Sequence, residues 1–540
     1  MSELDLQIAQ LFLAGLSGTT LTPEWRESLQ RFPFGGIHLA DWNLTGPEQT
    51  AELIAEVRQA IRERGVTDLP LIALDHEGGS LTPLRHGEAT NLPGAMALGA
   101  IGDPRAVREV GRVMGRELAA LGFNINWAPV LDLNCNPRNP VIGVRSFGDR
   151  PRTVVELGLA LIEGMQEAGV AATAKHFPGH GDTLVDSHLG LPVLQDDLAQ
   201  LESLHLLPFG AAAAAGVDAI MTAHILFPGL AGSPLDPGGA YTHLPATLNP
   251  AILDRLLRRH LGFDGVIVTD ALEMWGIQGQ WDIAEAAVLS LEAGADIPLI
   301  VFDHEARERA FTAVREAVTS GRISRERLGQ SVRRVQALRE KIAARQAEVG
   351  VSAQFDPAAY ETMLAIHHER VADIARRAIC APTGVEPLPA GGRILVITPL
   401  QENLTPADNT GGKPVLLPAE LERLGYKVQS LTVSLAVEPA EREAALEAVR
   451  EGYDRVVFGS INAWRFPEQV DLVRALEAAG APLVLIALRD PYDLALFPEG
   501  TLTLASCSTE PVVMRALAEV LAGLAEPVGH LPVNLPQLNL

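Results

Sequence analysis

Between Lys175 and His188 the chain places one lysine, three histidines and two aspartates within fourteen residues, threaded on Pro178, Gly179 and Gly181. Asp186 stands two positions before His188. A carboxylate so placed can accept a hydrogen bond from the imidazole and fix its tautomer, leaving the other ring nitrogen to move a proton. Lys175 and His176, at the head of the stretch, can donate to hydroxyl or carbonyl groups of a polar substrate. Proline and glycine mark a loop with unusual backbone angles. Zinc sites also use histidines, so His176, His180 and His188 admit a metal reading. There is no H-E-x-x-H and no helical i, i+4 pair, and no metal ligand is assigned.

Three further places carry charge where chemistry is done. Asp270 follows the β-branched run Val266 to Thr269. A carboxylate at a strand end can be a nucleophile or an electrostatic stabiliser, although a lone Asp before a helix is more commonly an N-cap. Asp75 with Glu77, Gly78 and Gly79 forms a second acidic cluster. Arg145, in a turn-rich loop, either clamps a polar group or pairs with Asp149.

The surrounding elements must hold these residues together. An apolar run at 169–174 predicts a buried strand leading into the histidine loop. Other strands are predicted at 34–40, 69–74, 124–130, 217–222, 265–269 and 296–301. Helices are predicted at 3–16, 48–64, 104–121, 153–168, 201–215, 250–261, 283–293 and 304–320. Strand and helix alternate for about 300 residues, and several strands end in a charged residue. The pattern predicts an α/β fold with a (β/α)₈ TIM-type barrel over 1–350. A helical linker is expected over 351–392. Five more strands with intervening helices predict a smaller αβα sandwich of flavodoxin-like kind over 393–540. That segment lacks a G-x-G-x-x-G between strand and helix, so no nucleotide cofactor is expected.

The formal net charge of −24 argues against nucleic acid or an anionic membrane surface as partner. No membrane span and no secretory signal is read, and a cytoplasmic location is expected. Cys135, Cys380 and Cys507 are far apart and odd in number, so neither a disulfide framework nor a cysteine zinc site is indicated.

The run from Lys175 to Thr183, followed by Asp186-Ser187-His188, resembles the signature of glycoside hydrolase family 3, and within it the β-N-acetylglucosaminidase branch that recycles peptidoglycan. The stretches 75–79, 143–148 and 269–274 match further motifs in the family's order. The resemblance implies a retaining hydrolase of terminal N-acetylglucosamine with no cofactor. Its carbohydrate substrates would be N-acetylglucosaminides and muropeptides. It implies Asp270 as nucleophile and His188 as acid/base, with Asp186 as partner. It also implies Asp75, Arg145, Lys175 and His176 as sugar-holding residues. Relatives continue after E-G-G toward V-x-R; here Pro83 takes the expected arginine position, and Arg85 is the candidate for the same contact. A phosphorylase or a β-glucosidase of the same family, and a non-catalytic sugar-binding protein, are the alternatives. Release of sugar 1-phosphate, the choice between aryl glycosides, and binding without turnover distinguish them.

Overall fold

The computed structural model describes residues 2–84 and 88–535. Seven parallel strands follow one another in sheet order as in sequence: β1 (Leu13–Ala14), β2 (Gly36–His38), β3 (Leu71–Leu74), β4 (Ile125–Asn126), β5 (Ala171–Phe177), β6 (Ala219–Thr222) and β7 (Val266–Val268). Parallel neighbours cannot be joined by tight turns, and helices cross between them. These include Pro47–Glu63, Pro104–Leu121, Pro151–Glu167, Leu206–Ala214 and the π-type Ala251–His260. The strands are buried from end to end, hence their apolar runs without alternation.

Residues 296–301, expected as the eighth strand, make a single bridge, Val268 to Ile297, instead of a ladder. They still close the barrel. The Asp296 amide donates to the Ile267 carbonyl at 2.7 Å, and Thr269 N–H to the Ile297 carbonyl at 3.0 Å. On the other side the Val301 carbonyl lies against Gly15, where a Cβ would meet it at 2.0 Å. The helix expected over 3–16 stops at Ala9, and Leu13–Ala14 is β1 instead. A short buried apolar run has no period that separates strand from helix. The strand expected to reach Val130 is two residues long, because Pro129 has no amide to donate to a ladder.

Backbone bonds to β5 continue irregularly past β4, with Thr173 N–H donating to the Ala128 carbonyl and Leu131 N–H to the Lys175 carbonyl, and toward β3 side chains add to the pairing. Asn124 accepts from the Ile72 amide at 2.7 Å and donates to the Pro70 carbonyl at 2.8 Å. Asn126 does the same with His76, at 2.9 and 2.8 Å. These bonds fix the end of β3 and the turn that carries Asp75 and Glu77. The helix expected over 201–215 is broken at Leu204–His205 into Leu198–Ser203 and Leu206–Ala214, with His205 turned into the interior.

The second sheet consists of β8 (Arg393–Pro399), β9 (Lys427–Val433), β10 (Arg455–Ser460), β11 (Leu483–Ala487) and β12 (Leu502–Ala505). All are parallel, in the order β12-β11-β10-β8-β9. That is the flavodoxin-like order, with helices on both faces. The helix Pro357–Ala375 lies between the two sheets: His367 bonds Glu117 on the barrel side at 2.7 Å, and the adjoining Arg376 bonds Glu519 of the sandwich at 2.7 Å. The sandwich also reaches the barrel's upper face, where Tyr492 Oη donates to the Asn134 carbonyl at 2.9 Å. Among the described residues no helix is long and apolar enough to cross a membrane.

Candidate active site

The strand ends converge on a cavity of about 350 Å³ lined by Asp75, Arg145, Lys175, His176, His188 and Asp270, among others. Six of the eight residues expected to act on substrate therefore meet in one place. Asp186 stands behind His188. Arg85 lies outside the described residues.

Lys175 and His176 belong to β5 itself instead of the loop beyond it. Strand backbone gives them fixed directions. Lys175 is 1% exposed, and its Nζ lies 2.6 Å from Asp75 Oδ1 and 2.6 Å from Glu77 Oε1. Arg145 grips the same Glu77 with two parallel bonds, Nε to Oε2 at 2.9 Å and Nη2 to Oε1 at 2.8 Å. It does not pair with Asp149, which instead accepts from Asn534 at the far end of the chain. Glu77 thus neutralises two buried cations. Burial opposes its charge, but Arg145 and Lys175 hold its carboxyl well below the usual carboxylate range. Burial likewise disfavours charge on Lys175, and Asp75 and Glu77 outweigh it, keeping the ammonium protonated.

A third carboxylate, Asp132, orients the histidines. Its Oδ2 accepts from the His176 amide at 3.1 Å and from His176 Nδ1 at 2.7 Å. Its Oδ1 accepts from the His180 amide at 2.7 Å. With the proton held on Nδ1, His176 presents Nε2 to the cavity. Burial would raise the Asp132 pKa, and His176 pulls it down.

His180 is not a cavity group. Its Nδ1 meets Thr183 Oγ1 at 2.8 Å and its Nε2 meets Ser187 Oγ at 3.1 Å, which folds the loop on itself. Burial pushes its pKa down to about 4, so the ring is neutral. The three loop histidines thus have separate protein partners and do not converge on one point. The loop is clamped to the barrel at Gly181, where a Cβ would lie 1.5 Å from the Leu133 carbonyl oxygen.

His188 Nδ1 lies 2.7 Å from Asp186 Oδ1, and the His188 amide donates to the same oxygen at 2.9 Å. Burial acts to raise the Asp186 pKa, but the bonds from His188 keep it below the ordinary value. An ionised Asp186 can only accept, so Nδ1 carries a proton and Nε2 is the free nitrogen. Asp270 comes directly after β7 and Thr269. Burial alone would favour its neutral form; His176, His224 and His188 around it hold the carboxyl below its usual value. It is therefore an anion across neutral pH. The site pairs an ionised carboxylate with a tautomer-fixed imidazole above a floor of neutralised cations.

The expected residues omitted several that build the site. Glu77 and Asp132 hold the expected ones in place. His224 Nε2 donates to the Ala271 carbonyl at 2.9 Å, next to Asp270. His38, whose Nδ1 accepts from Trp127 Nε1 at 3.0 Å, faces Asp75 with its other nitrogen at 4.0 Å. All four lie at or just past strand ends, which is the signal that could have found them. Pro406, Ala407 and Asn409 also line the cavity, and they come from the sandwich. Asn409 Oδ1 accepts from the Thr82 amide at 2.9 Å, and the Asn409 amide donates to the Ser80 carbonyl at 3.0 Å. The altered stretch after Gly79 is therefore met by a loop more than 300 residues away in sequence.

A barrel with this constellation at its strand ends is the architecture of a carbohydrate-cleaving enzyme. Residues 3–338 match the glycosyl hydrolase family 3 N-terminal domain, and the chain belongs to that family of glycoside hydrolases. It is 32% identical to the beta-hexosaminidase A of Pseudoalteromonas piscicida, over 96% of this chain and 92% of that protein. A beta-hexosaminidase of Neisseria meningitidis is 38% identical over 54% of this chain and 77% of its own length. Among solved structures, the family 3 beta-N-acetylglucosaminidase from Paenibacillus sp. str. FPU-7 superposes with a TM-score of 0.91, at 38% identity, with all of both chains covered.

Proposed function

We propose that this chain is a retaining exo-acting β-N-acetylglucosaminidase that removes terminal N-acetylglucosamine, with peptidoglycan fragments as its natural substrates. The observation that carries the reading is the 2.7 Å bond between His188 and Asp186 on the cavity that also receives Asp270. Asp270 attacks the anomeric carbon as the bond to the leaving oxygen breaks, and His188, entering this step as the imidazolium with a proton on each ring nitrogen, gives that oxygen its Nε2 proton and becomes neutral. The neutral imidazole then takes a proton from water, which attacks the same carbon and releases Asp270. Two displacements retain the anomeric configuration. A neutral imidazole does not repel the anionic nucleophile, and Asp186 stabilises the imidazolium in the alternate state.

Asp75, Arg145, Lys175 and His176 hold the sugar hydroxyls. Their contribution to rate is limited to what strengthens as the ring becomes oxocarbenium-like. A cavity of about 350 Å³ suits one terminal sugar instead of an internal chain segment, which supports exo action. The activity named for the Paenibacillus relative supports N-acetylglucosamine as the sugar, and the name of the Pseudoalteromonas relative supports a β-linked hexosamine.

The test uses Asp270→Ala and His188→Ala with aryl N-acetylglucosaminides and with muropeptides. Asp270→Ala is expected to lose turnover by several orders of magnitude on every substrate. His188→Ala is expected to lose about 10²–10⁴-fold on poor leaving groups and far less on leaving groups that need no proton. Full activity in Asp270→Ala would overturn the nucleophile assignment. Faster cleavage of aryl glucoside than of aryl N-acetylglucosaminide would overturn the sugar.

A further inference from the structure

Apart from the residues that line the sugar cavity, three different metal-ligating groups meet. Cys135 follows the strand-end segment that carries Asp132. Asp182 lies in the middle of the loop. His205 stands at the break between the helices 198–203 and 206–214. One ligand atom from each lies within 4.8 Å of the other two. We infer that Cys135, Asp182 and His205 form a binding site for a zinc-type divalent cation that pins the middle of the His188-bearing loop to the barrel.

The strongest support is His205. Its side chain is wholly buried, yet neither ring nitrogen has a hydrogen-bond partner. Asp196 Oδ2 is 3.3 Å from Nε2, close enough to attract but not aligned to accept. A buried donor or acceptor left unmade costs on the order of 1–3 kcal/mol, so an imidazole with both nitrogens unmet is a group prepared for another partner. The loop is shaped to it: Gly179 packs so closely that a Cβ would lie 2.9 Å from His205 Cβ.

The charges point the same way. Asp196, whose Oδ2 lies 3.3 Å from His205 Nε2, adds a second carboxylate beside Cys135 and Asp182, so the pocket gathers groups whose ionised forms repel one another. A divalent cation offsets that repulsion and deprotonates the thiol outright.

The donor set selects the metal. Thiolate, imidazole and carboxylate together suit zinc or cobalt(II), not magnesium or calcium. Zinc bonds of about 2.0–2.3 Å put ligand atoms about 3.3–3.8 Å apart in a tetrahedron, so the group needs to contract by only about 1 Å. Asp196, with Oδ2 3.3 Å from His205 Nε2, is the carboxylate we assign to the fourth position. Cys135 and Asp182 are only partly buried, which leaves an entry path. With Asp182 tethered, the arm that carries Asp186 and His188 moves about a fixed point. The inference does not rest on the proposed glycosidase chemistry.

The test is metal binding by the full chain after stripping with chelator, using zinc and cobalt(II) alone. Wild type is expected to retain one metal per chain through gel filtration and, with cobalt, to show a thiolate-to-metal charge-transfer band. Cys135→Ser should abolish the band, and His205→Gln and Asp182→Asn should each weaken binding by at least about 100-fold. Asp182→Asn, at a partly exposed position, remains informative if a core variant misfolds. Cys380→Ser and His188→Ala, which remove a thiol and an imidazole elsewhere, should leave stoichiometry and band unchanged. Failure of wild type to retain metal would make the cluster a plain hydrogen-bonding group and end the proposal. So would an unaltered band in Cys135→Ser.

Discussion

Replacing Glu77 by glutamine tests the reading of the site's floor. In the native cluster Lys175 and Arg145 are two buried cations, and Asp75 and Glu77 are the two anions that match them. Asp75 has a side chain 31% exposed, whereas that of Glu77 is 6% exposed and touches both cations. Glutamine keeps one acceptor but turns a donor toward Arg145 Nε, and it leaves one positive charge without a counter-ion. Removing one partner from a buried ion pair costs about 3–5 kcal/mol. The expected result is a melting midpoint lower by several degrees, with a reduced kcat/KM as the two cations proposed to hold the sugar lose their orientation. The pH dependence adds a second signature. The folded-state pKa of Glu77 is depressed, so its contribution is fully present above its unfolded value near 4.5 and is lost as pH falls through the folded one. Thermal unfolding followed from pH 7 downward should therefore show less acid sensitivity in Glu77→Gln than in wild type. Wild-type stability and wild-type kcat/KM in the variant would refute the idea that Glu77 sustains the two cations.

Other substitutions separate the remaining parts. Asp186→Asn keeps the shape but removes the charge that holds His188. A charge-assisted bond contributes about 1.5–3 kcal/mol, so kcat on unactivated substrates should fall by about 10- to 150-fold. An unchanged pH–rate profile and rate would count against the dyad. Asn409→Ala removes the Oδ1 that accepts from the Thr82 amide and opens the sandwich side of the cavity. KM should rise while kcat changes less, and an unaltered KM would show that this loop does not shape the sugar site. Reaction in phosphate buffer should yield free sugar instead of sugar 1-phosphate; accumulation of the phosphate ester would convert the hydrolase reading into a phosphorylase.

Much of the fold can be read directly from residue order. The helices 104–121, 283–293 and 304–320 match their predicted bounds, because each has a start signal and a glycine stop: Asp103, Asp282 and Asp303 cap the first turns, and Gly122, Gly294 and Gly321 close the last. The five sandwich strands, expected from the sequence at 393–398, 427–431, 455–458, 482–487 and 501–505, lie within two residues of those bounds. The errors fall where local pattern is weakest. Leu13–Ala14 carries no period, and residues 296–301 have strand composition but only a bridge's worth of pairing. The helix break at Leu204–His205 did have a local signal, Pro208, which has no amide to bond the Leu204 carbonyl four residues back.

The chemistry-bearing residues of the catalytic constellation were local features, so sequence alone could nominate them. Asp270 ends a strand, His188 follows Asp186 by two residues, and Lys175 and His176 end another strand. Their counter-ions were not nominated as site residues, because Glu77, Asp132 and His224 serve partners that are 44 or more residues distant or are reached through another strand. A single sequence holds no record of which buried charge neutralises which. The same distance hid the sandwich's share of the cavity and the meeting of Cys135, Asp182 and His205. Short-range order nominated the groups proposed to react and the barrel that carries them. Only the curled parallel sheet, which brings side chains from separate strand ends within hydrogen-bond reach, decided how those groups are held, charged and walled in.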